Sequence, residues 1–238
     1  GAGNDSLVDV PTNGAQTDTG AGGEVRGNYC TLNPLDSGGG TLSNGNLEHT
    51  YSSSYVRVRS TISIPESGKW YAEFVASNTG GGNSLVGVST GTNALTGTNW
   101  YVGSDADSWG CQIGSGTMYT YHAGGYSSFG TAASGDVIAV AVDRAAGKIW
   151  WAVNNTWIGS GDPANGTNAR YTDIPATGNL FFAISNASNA SIVCNFGQRA
   201  FAYTAPSGFK ALNTASLPSP SVTKGSSVMD VKLYTGNG

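Results

Sequence analysis

Short apolar runs separated by glycine, asparagine and serine recur along this chain, and they are continuous or alternate with a period of two. The clearest instance is Gly135–Asn155, GDVIAVAVDRAAGKIWWAVNN, in which Val137–Val142 and Ile149–Val153 flank Asp143–Lys148. Runs of five or six β-branched, aromatic and small residues are too short for typical helices and fit buried strands. The connecting Asp143–Gly147 ends in a glycine, which takes the left-handed conformation of a short hairpin loop at no steric cost. The pattern predicts a hairpin with both strands in a core.

Other segments repeat the theme. Tyr55–Ile64 alternates, with Val56, Val58, Ile62 and Ile64 on one side and Arg57 and Arg59 on the other, as in a half-exposed strand. Pro65–Gly68 turns the chain into Lys69–Ala76, where either Trp70, Ala72 and Phe74 or Tyr71, Glu73 and Val75 face the core. Trp109–Ile113 and Thr117–Tyr121 predict a second hairpin across Gly114–Gly116, and Leu180–Ser185 with Ala190–Phe196 predicts a last strand pair. Thr90–Ser108 and Gly159–Gly178 read as long polar connections. With no helical periodicity anywhere, the expected architecture is all-β, an antiparallel β-sandwich.

The ends differ from the middle. Residues 1–27 are glycine-rich and polar with one apolar patch, Leu7–Val10, and read as a linker or extended arm. The sandwich is expected over 28–213, a Pro/Ser-rich linker over 214–227, and the opening strand of a following module within 228–238. Such flanks read as those of a segment cut from a longer polypeptide.

Three segments together carry a family likeness: Gly68-Lys-Trp-Tyr-Ala-Glu-Phe74, the hairpin from Gly135 to Asn155, and Leu180-Phe-Phe-Ala-Ile184 followed by Asn195-Phe-Gly-Gln-Arg199. In order and spacing they resemble SPRY domains, and the resemblance covers roughly Asn44 to Leu212. It implies a concanavalin-like jelly roll that binds partners through loops at one edge. Gln198-Arg199, Phe201-Ala-Tyr203 and Phe209–Asn213 are most similar to the closing segment of SPRY modules in tailed-phage fibre and virion proteins. That likeness implies a virion setting, on a tail or capsid surface.

Charge narrows the partners. The net charge of -4 and the absence of any basic run exclude a nucleic-acid backbone as partner, because phosphates demand a clustered basic surface. No stretch approaches the ~20 apolar residues of a membrane-spanning helix. Cys30, Cys111 and Cys194 lack CxxC spacing and read as buried thiols, and neither they nor the two distant histidines His49 and His122 make a four-ligand zinc site.

Catalysis finds no support in the pattern. A glycoside hydrolase needs two carboxylates ~5–9.5 Å apart, and none of Glu24, Glu48, Glu66 and Glu73 has an acidic neighbour two or four residues away. Asp105-Ala-Asp107 is a close carboxylate pair that could supply part of a calcium shell, although no Gly and Glu complete an EF-hand loop and a solvated loop is the simpler reading. No cofactor is implied.

The aromatic residues are more suggestive, with six Trp and eleven Tyr in a chain of few charges. Trp100, Tyr101, Tyr126 and Trp157 fall in or beside turn-rich segments, where rings can stack on sugars or fill interface pockets. The expectation is a non-catalytic binding or architectural module of a phage-type fibre. Trp100, Tyr101, Asp105, Asp107, Tyr126 and Trp157 would form its binding rim, against a protein or host-surface glycan, with neighbouring modules or sister chains as assembly partners. The alternative is a lectin-like module, with Asp105 and Asp107 holding calcium.

Overall fold

Fifteen strands, all but a few of them short, build the protein in this computed structural model, which describes residues 14, 16–78, 83–92, 94–96, 100–113, 116–219, 222, 228, 229 and 236. In chain order they are β1 (Leu32–Ser37), β2 (Thr41–Ser43), β3 (Glu48–Tyr51), β4 (Val56–Ser60), β5 (Lys69–Asn78), β6 (Asn83–Thr90), β7 (Ser108–Ile113) and β8 (Gly116–His122). There follow β9 (Gly125–Ala132), β10 (Val137–Asp143), β11 (Lys148–Val153), β12 (Thr156–Trp157), β13 (Leu180–Ala187), β14 (Ala190–Asn195) and β15 (Phe209–Ala211). The first sheet has the order β1-β4-β13-β6-β7-β8-β9. The second has the order β12-β11-β10-β5-β14-β3-β2, with β15 parallel to β5. The predicted antiparallel sandwich is the observed fold.

The period-two pattern sets the core. Trp70, Ala72 and Phe74 of β5 face the first sheet, as do Val140 and Val142 of β10 and Trp151 of β11. The rings of Phe74, Phe182 and Phe196 meet at 5.9–6.3 Å in the middle. The alternative face of β5 is buried as well: Tyr71 and Glu73 lie beneath a covering segment.

The central hairpin forms as predicted, with Val140 opposite Trp151 and Asp143 opposite Lys148. Asp143 closes the turn by accepting the Ala146 N–H at 3.0 Å. Gly147 is left-handed, φ 66°, and a Cβ there would lie 2.9 Å from the Ile174 carbonyl oxygen. Gly147→Val therefore meets both strain and a clash, and should destabilise the fold by about 1–3 kcal/mol. Denaturation midpoints equal to the parent's would contradict this.

Two expectations need correction. β13 and β14 do not pair: β13 lies between β4 and β6 in the first sheet, and β14 between β5 and β3 in the second. Their two-residue connection, Ser188 and Asn189 with φ of 56° and 64°, carries the chain from one sheet to the other. Nor is β4 half-exposed, because Arg57 and Arg59 are both buried. Several short strands carry no expectation from the sequence, and one long one, β9, was missed because its Gly125–Ser128 are exposed and show no apolar alternation.

The flanks are partly docked. Within the expected N-terminal arm, Phe201 N–H donates to Ala21 O at 2.7 Å and Ala205 N–H to Gly20 O at 2.9 Å. Within the expected linker after 213, Thr214 N–H donates to Asn28 O at 2.9 Å and Leu217 packs on the core. The Leu7–Val10 patch, the turn residues 114 and 115, and most of the expected strand after Val228 lie outside the described residues.

A buried polar bridge ties the two sheets together. His49 of β3 donates from Nε2 to Gly39 O at 2.9 Å. Asn186 of β13 donates to His49 O at 2.8 Å and faces His49 Nδ1 at 3.2 Å, while its Oδ1 accepts the Ser84 hydroxyl at 3.0 Å. The carbonyl partner and the amide partner fix His49 as neutral, because a proton on Nδ1 would face the Asn186 NH2. Burial holds the His49 pKa below its ordinary value. The unfolded chain therefore takes up the proton first, so this contribution is complete above about pH 6.5 and is lost as pH falls further. Denaturation midpoints should drop on acidification through this range, and His49→Gln should show a smaller drop. Identical pH profiles for parent and variant would count against the bridge.

Candidate functional site

Arg57 is the starting point. It projects from the outer face of the first sheet and is fully buried, since the segment leading from β6 to β7 folds back over it. Its Nη2 donates to Tyr101 O at 2.7 Å and to Asp105 Oδ2 at 2.9 Å. The Ser108 hydroxyl donates to Asp105 Oδ1 at 2.7 Å and accepts the Gly103 N–H at 2.7 Å. Burial lowers the Arg57 pKa, and the Asp105 carboxylate works against that shift. Gly110 of β7 lets the segment lie directly on the strand, since a Cβ there would come 2.1 Å from Val102 O.

In this clamp Asp105 is the counter-ion of the buried Arg57 guanidinium, a position that works against a divalent cation. Beside Arg57 a divalent cation would be repelled, and among the described residues no cluster of His, Cys, Asp or Glu is arranged to hold a metal. Asp107 is exposed and its N–H donates to Asp105. Glu73 is likewise engaged on the other sheet. It accepts the N–H groups of Ala202 at 2.7 Å and Tyr203 at 2.9 Å, and the Tyr71 hydroxyl at 2.9 Å.

The clamped segment presents a row of rings. Tyr101 lies 5.1 Å from Tyr55 on one side and 5.1 Å from Tyr121 on the other. Tyr126 stacks on Tyr121 at 5.6 Å and meets Tyr119 edge-on at 5.8 Å. Alternation explains the row: on β8, Met118 and Thr120 point into the sandwich, so Tyr119 and Tyr121 point out, and Tyr126 sits directly opposite Tyr121. The rings of Tyr55, Tyr101 and Tyr121 rest on Leu85, Val102 and Ala183. Tyr121 donates to Gln112, whose amide donates to Asn83 at 2.9 Å. Burial and the neighbouring tyrosines push Tyr121 up to about 12, and burial raises Tyr55 and Tyr101 too. The three inner phenols of the row thus keep their protons, and the face is apolar in its rings and hydrogen-bonding at its hydroxyls.

The six predicted residues do not converge. Tyr101 and Tyr126 belong to the row, Asp105 lies beneath it, and Asp107 and Trp100 stand in the same segment. Trp157 is on the other sheet, packed with the Trp150 and Phe209 cluster. Gly159–Gly178 closes the sandwich edge. Its Arg170 donates to Thr120 and Ser127, and its Asp173 accepts Trp109 Nε1 at 2.9 Å and pairs with His122 at 3.1 Å. Tyr55, Tyr119 and Tyr121 were missed by sequence reasoning, although the alternation of Thr117–Tyr121 signals the last two.

A two-sheet sandwich with a loop-covered outer face defines a class of binding scaffold. Residues 69–199, more than half of the chain, match the SPRY domain family, and the chain belongs to that family. Among solved structures it is similar to the TRIM65 PSpry domain, with 15% identity over 70% of this chain and 88% of that one and a TM-score of 0.53. It is also similar to the SPRY domain of human HERC1, with 17% identity over 69% and 96% and a TM-score of 0.54. No curated protein matches the chain. SPRY domains are generally non-catalytic protein–protein interaction modules.

Removing the Arg57 side chain takes a charged donor from the partly buried Asp105 carboxylate and from the Tyr101 carbonyl, and leaves a void beneath the segment. Arg57→Ala should cost about 3 kcal/mol, whereas Asp107→Asn should stay within about 0.5 kcal/mol of the parent. Urea midpoints of the two variants decide between this clamp and a dispensable surface pair.

Proposed function

We propose that this chain is a non-catalytic recognition module that binds a protein partner with the tyrosine row of its first sheet. The observation that carries the reading is the row itself: five rings in contact on a rigid sheet, with Tyr126 69% exposed. Tyrosine offers large contact area with few rotors to freeze, and surrounding Ser, Gly and Asn supply adaptable hydrogen bonds. The setting we propose is a virion surface or tail fibre, which rests on the likeness of Gln198–Asn213 to the closing segment of fibre modules.

A glycan partner is the second reading, favoured by a shallow cleft of about 410 Å³ that begins at Tyr55. Its lining of Ser52, Ser53, Ser54, Asn83 and Ser188 is uncharged and rich in hydroxyls, as a sugar requires. The Arg57 guanidinium beside Asp105 favours a form of this reading that does without calcium.

Selection of binders from a displayed peptide library, beside a glycan array, tests both. Tyr126→Ala and Tyr119→Ala should each weaken selected peptides by about 2 kcal/mol with stability nearly unchanged, and Trp157→Ala should not weaken them. Selected peptides indifferent to both tyrosines would overturn the protein reading. Glycans captured in the same tyrosine-dependent way would establish the second.

A further inference from the structure

Asn44 and Gly45 lie at the tip of the hairpin between β2 and β3, where Asn44, Gly45 and Asn46 take φ of 51°, 65° and 60°. Left-handed backbone suits glycine and asparagine, and an Asn–Gly pair has a chemistry of its own. The glycine nitrogen can attack the side-chain amide before it, because no Cβ stands in the way. In a folded chain the outcome depends on how firmly that nitrogen and its turn are held. Of the four Asn–Gly pairs in the sequence, two lie wholly within the described residues, and they differ in this respect.

At the first pair Asn44 and Gly45 are both exposed, and a Cβ on Gly45 would meet nothing within 4 Å. Among the described residues no acceptor takes the Gly45 N–H. β2 is an edge strand of three residues paired to β3, so the hairpin opens at small cost. At the second pair Gly166 N–H donates to Pro163 O at 3.1 Å, and Gly166 O accepts Lys148 Nζ at 2.7 Å. Asp162 takes the Asn165 N–H at 3.1 Å and its side-chain amide at 2.7 Å.

We propose that Asn44 is a site of spontaneous modification in the folded protein, converting to aspartate and its β-linked isomer with water as co-reactant. The Gly45 nitrogen gives its proton to solvent and bonds to Asn44 Cγ. The Cγ–Nδ2 bond breaks, and the departing nitrogen takes a proton from solvent and leaves as ammonia. Water then opens the cyclic imide at either carbonyl, so that a carboxylate stands where an amide stood. The amide's partner gives the change its consequence. Asn44 Nδ2 donates to Glu48 Oε2, so the product sets carboxylate against carboxylate, and like charges in contact repel. The loosened strand is β2, whose Leu42 lies opposite His49 of the polar bridge. This goes beyond the recognition proposed above, since it acts on the second sheet and leaves the tyrosine row untouched.

Incubation of the full chain in mildly alkaline buffer, followed by peptide mapping with mass spectrometry, is the test. In the folded chain Asn44 should convert at least ~tenfold faster than Asn165, and in a urea-denatured chain the two should convert alike. Equal rates in the folded chain, or a gap as wide in urea as without it, would overturn the proposal. Asn44→Asp should unfold at a lower urea concentration than the parent, and adding Glu48→Gln should recover most of that loss. A midpoint equal to the parent's, or a loss that Glu48→Gln does not recover, would overturn the consequence assigned to Glu48.

Discussion

A guanidinium removed from water has to find its acceptors inside the protein, and Arg57 finds them in the one segment that could otherwise leave the sheet. The Tyr101 carbonyl and the Asp105 carboxylate are both bound to the same nitrogen, Nη2. Everything on the outer face of the first sheet follows from that anchorage. Val102 is pressed onto Gly110, Tyr101 is set between Tyr55 and Tyr121, and the row continues to the sheet edge. Glu73 plays the reciprocal part on the second sheet, where an anion accepts the backbone N–H groups of Ala202 and Tyr203. One buried charge of each sign holds one covering segment on each outer face.

The two covers have different results. On the second sheet Phe201, Ala205, Phe209 and Tyr29 pack over Tyr71 and Trp150, so the rings there are spent on stability. On the first sheet the cover reaches Tyr121 at the end of β8 but leaves Tyr126 of β9 exposed, so the rings stay partly in solvent. That asymmetry leaves an open aromatic face on the first sheet, and it is why Trp157, though aromatic and beside a turn, belongs to the packed side.

Much of the fold was legible because burial between two sheets writes a period of two into the sequence. Val137–Val142, Ile149–Val153 and Trp70–Phe74 could not be read otherwise. What escaped is where a second layer changes the meaning of polar positions. Arg57 and Arg59 read as solvent-facing because a sequence does not show the segment lying over them. Asp105 and Asp107 read as a pair, although Asp105 is turned in to a salt bridge with Arg57 and Asp107 is exposed. β13 and β14 read as a hairpin because a two-residue connection is as short between sheets as within one. β9 lacked any signal, since an edge strand of Gly and Ser carries no apolar alternation. The tyrosine row was half visible, through Tyr101 and Tyr126, and needed the register of β8 against β9 to be completed.

The flanks of the domain run side by side in opposite directions. Cys30 N–H donates to Leu212 O at 3.0 Å, Tyr29 bridges Asn213, and Thr214 N–H donates to Asn28 O. Tension applied through the two flanks would thus pull along these bonds, as in unzipping, and would load them one at a time. A module clasped in this way yields at its seam under low force while its sheets, which the pull does not reach directly, stay intact. In a longer chain it would extend like a buckle opening, giving length without losing the face that carries the tyrosines.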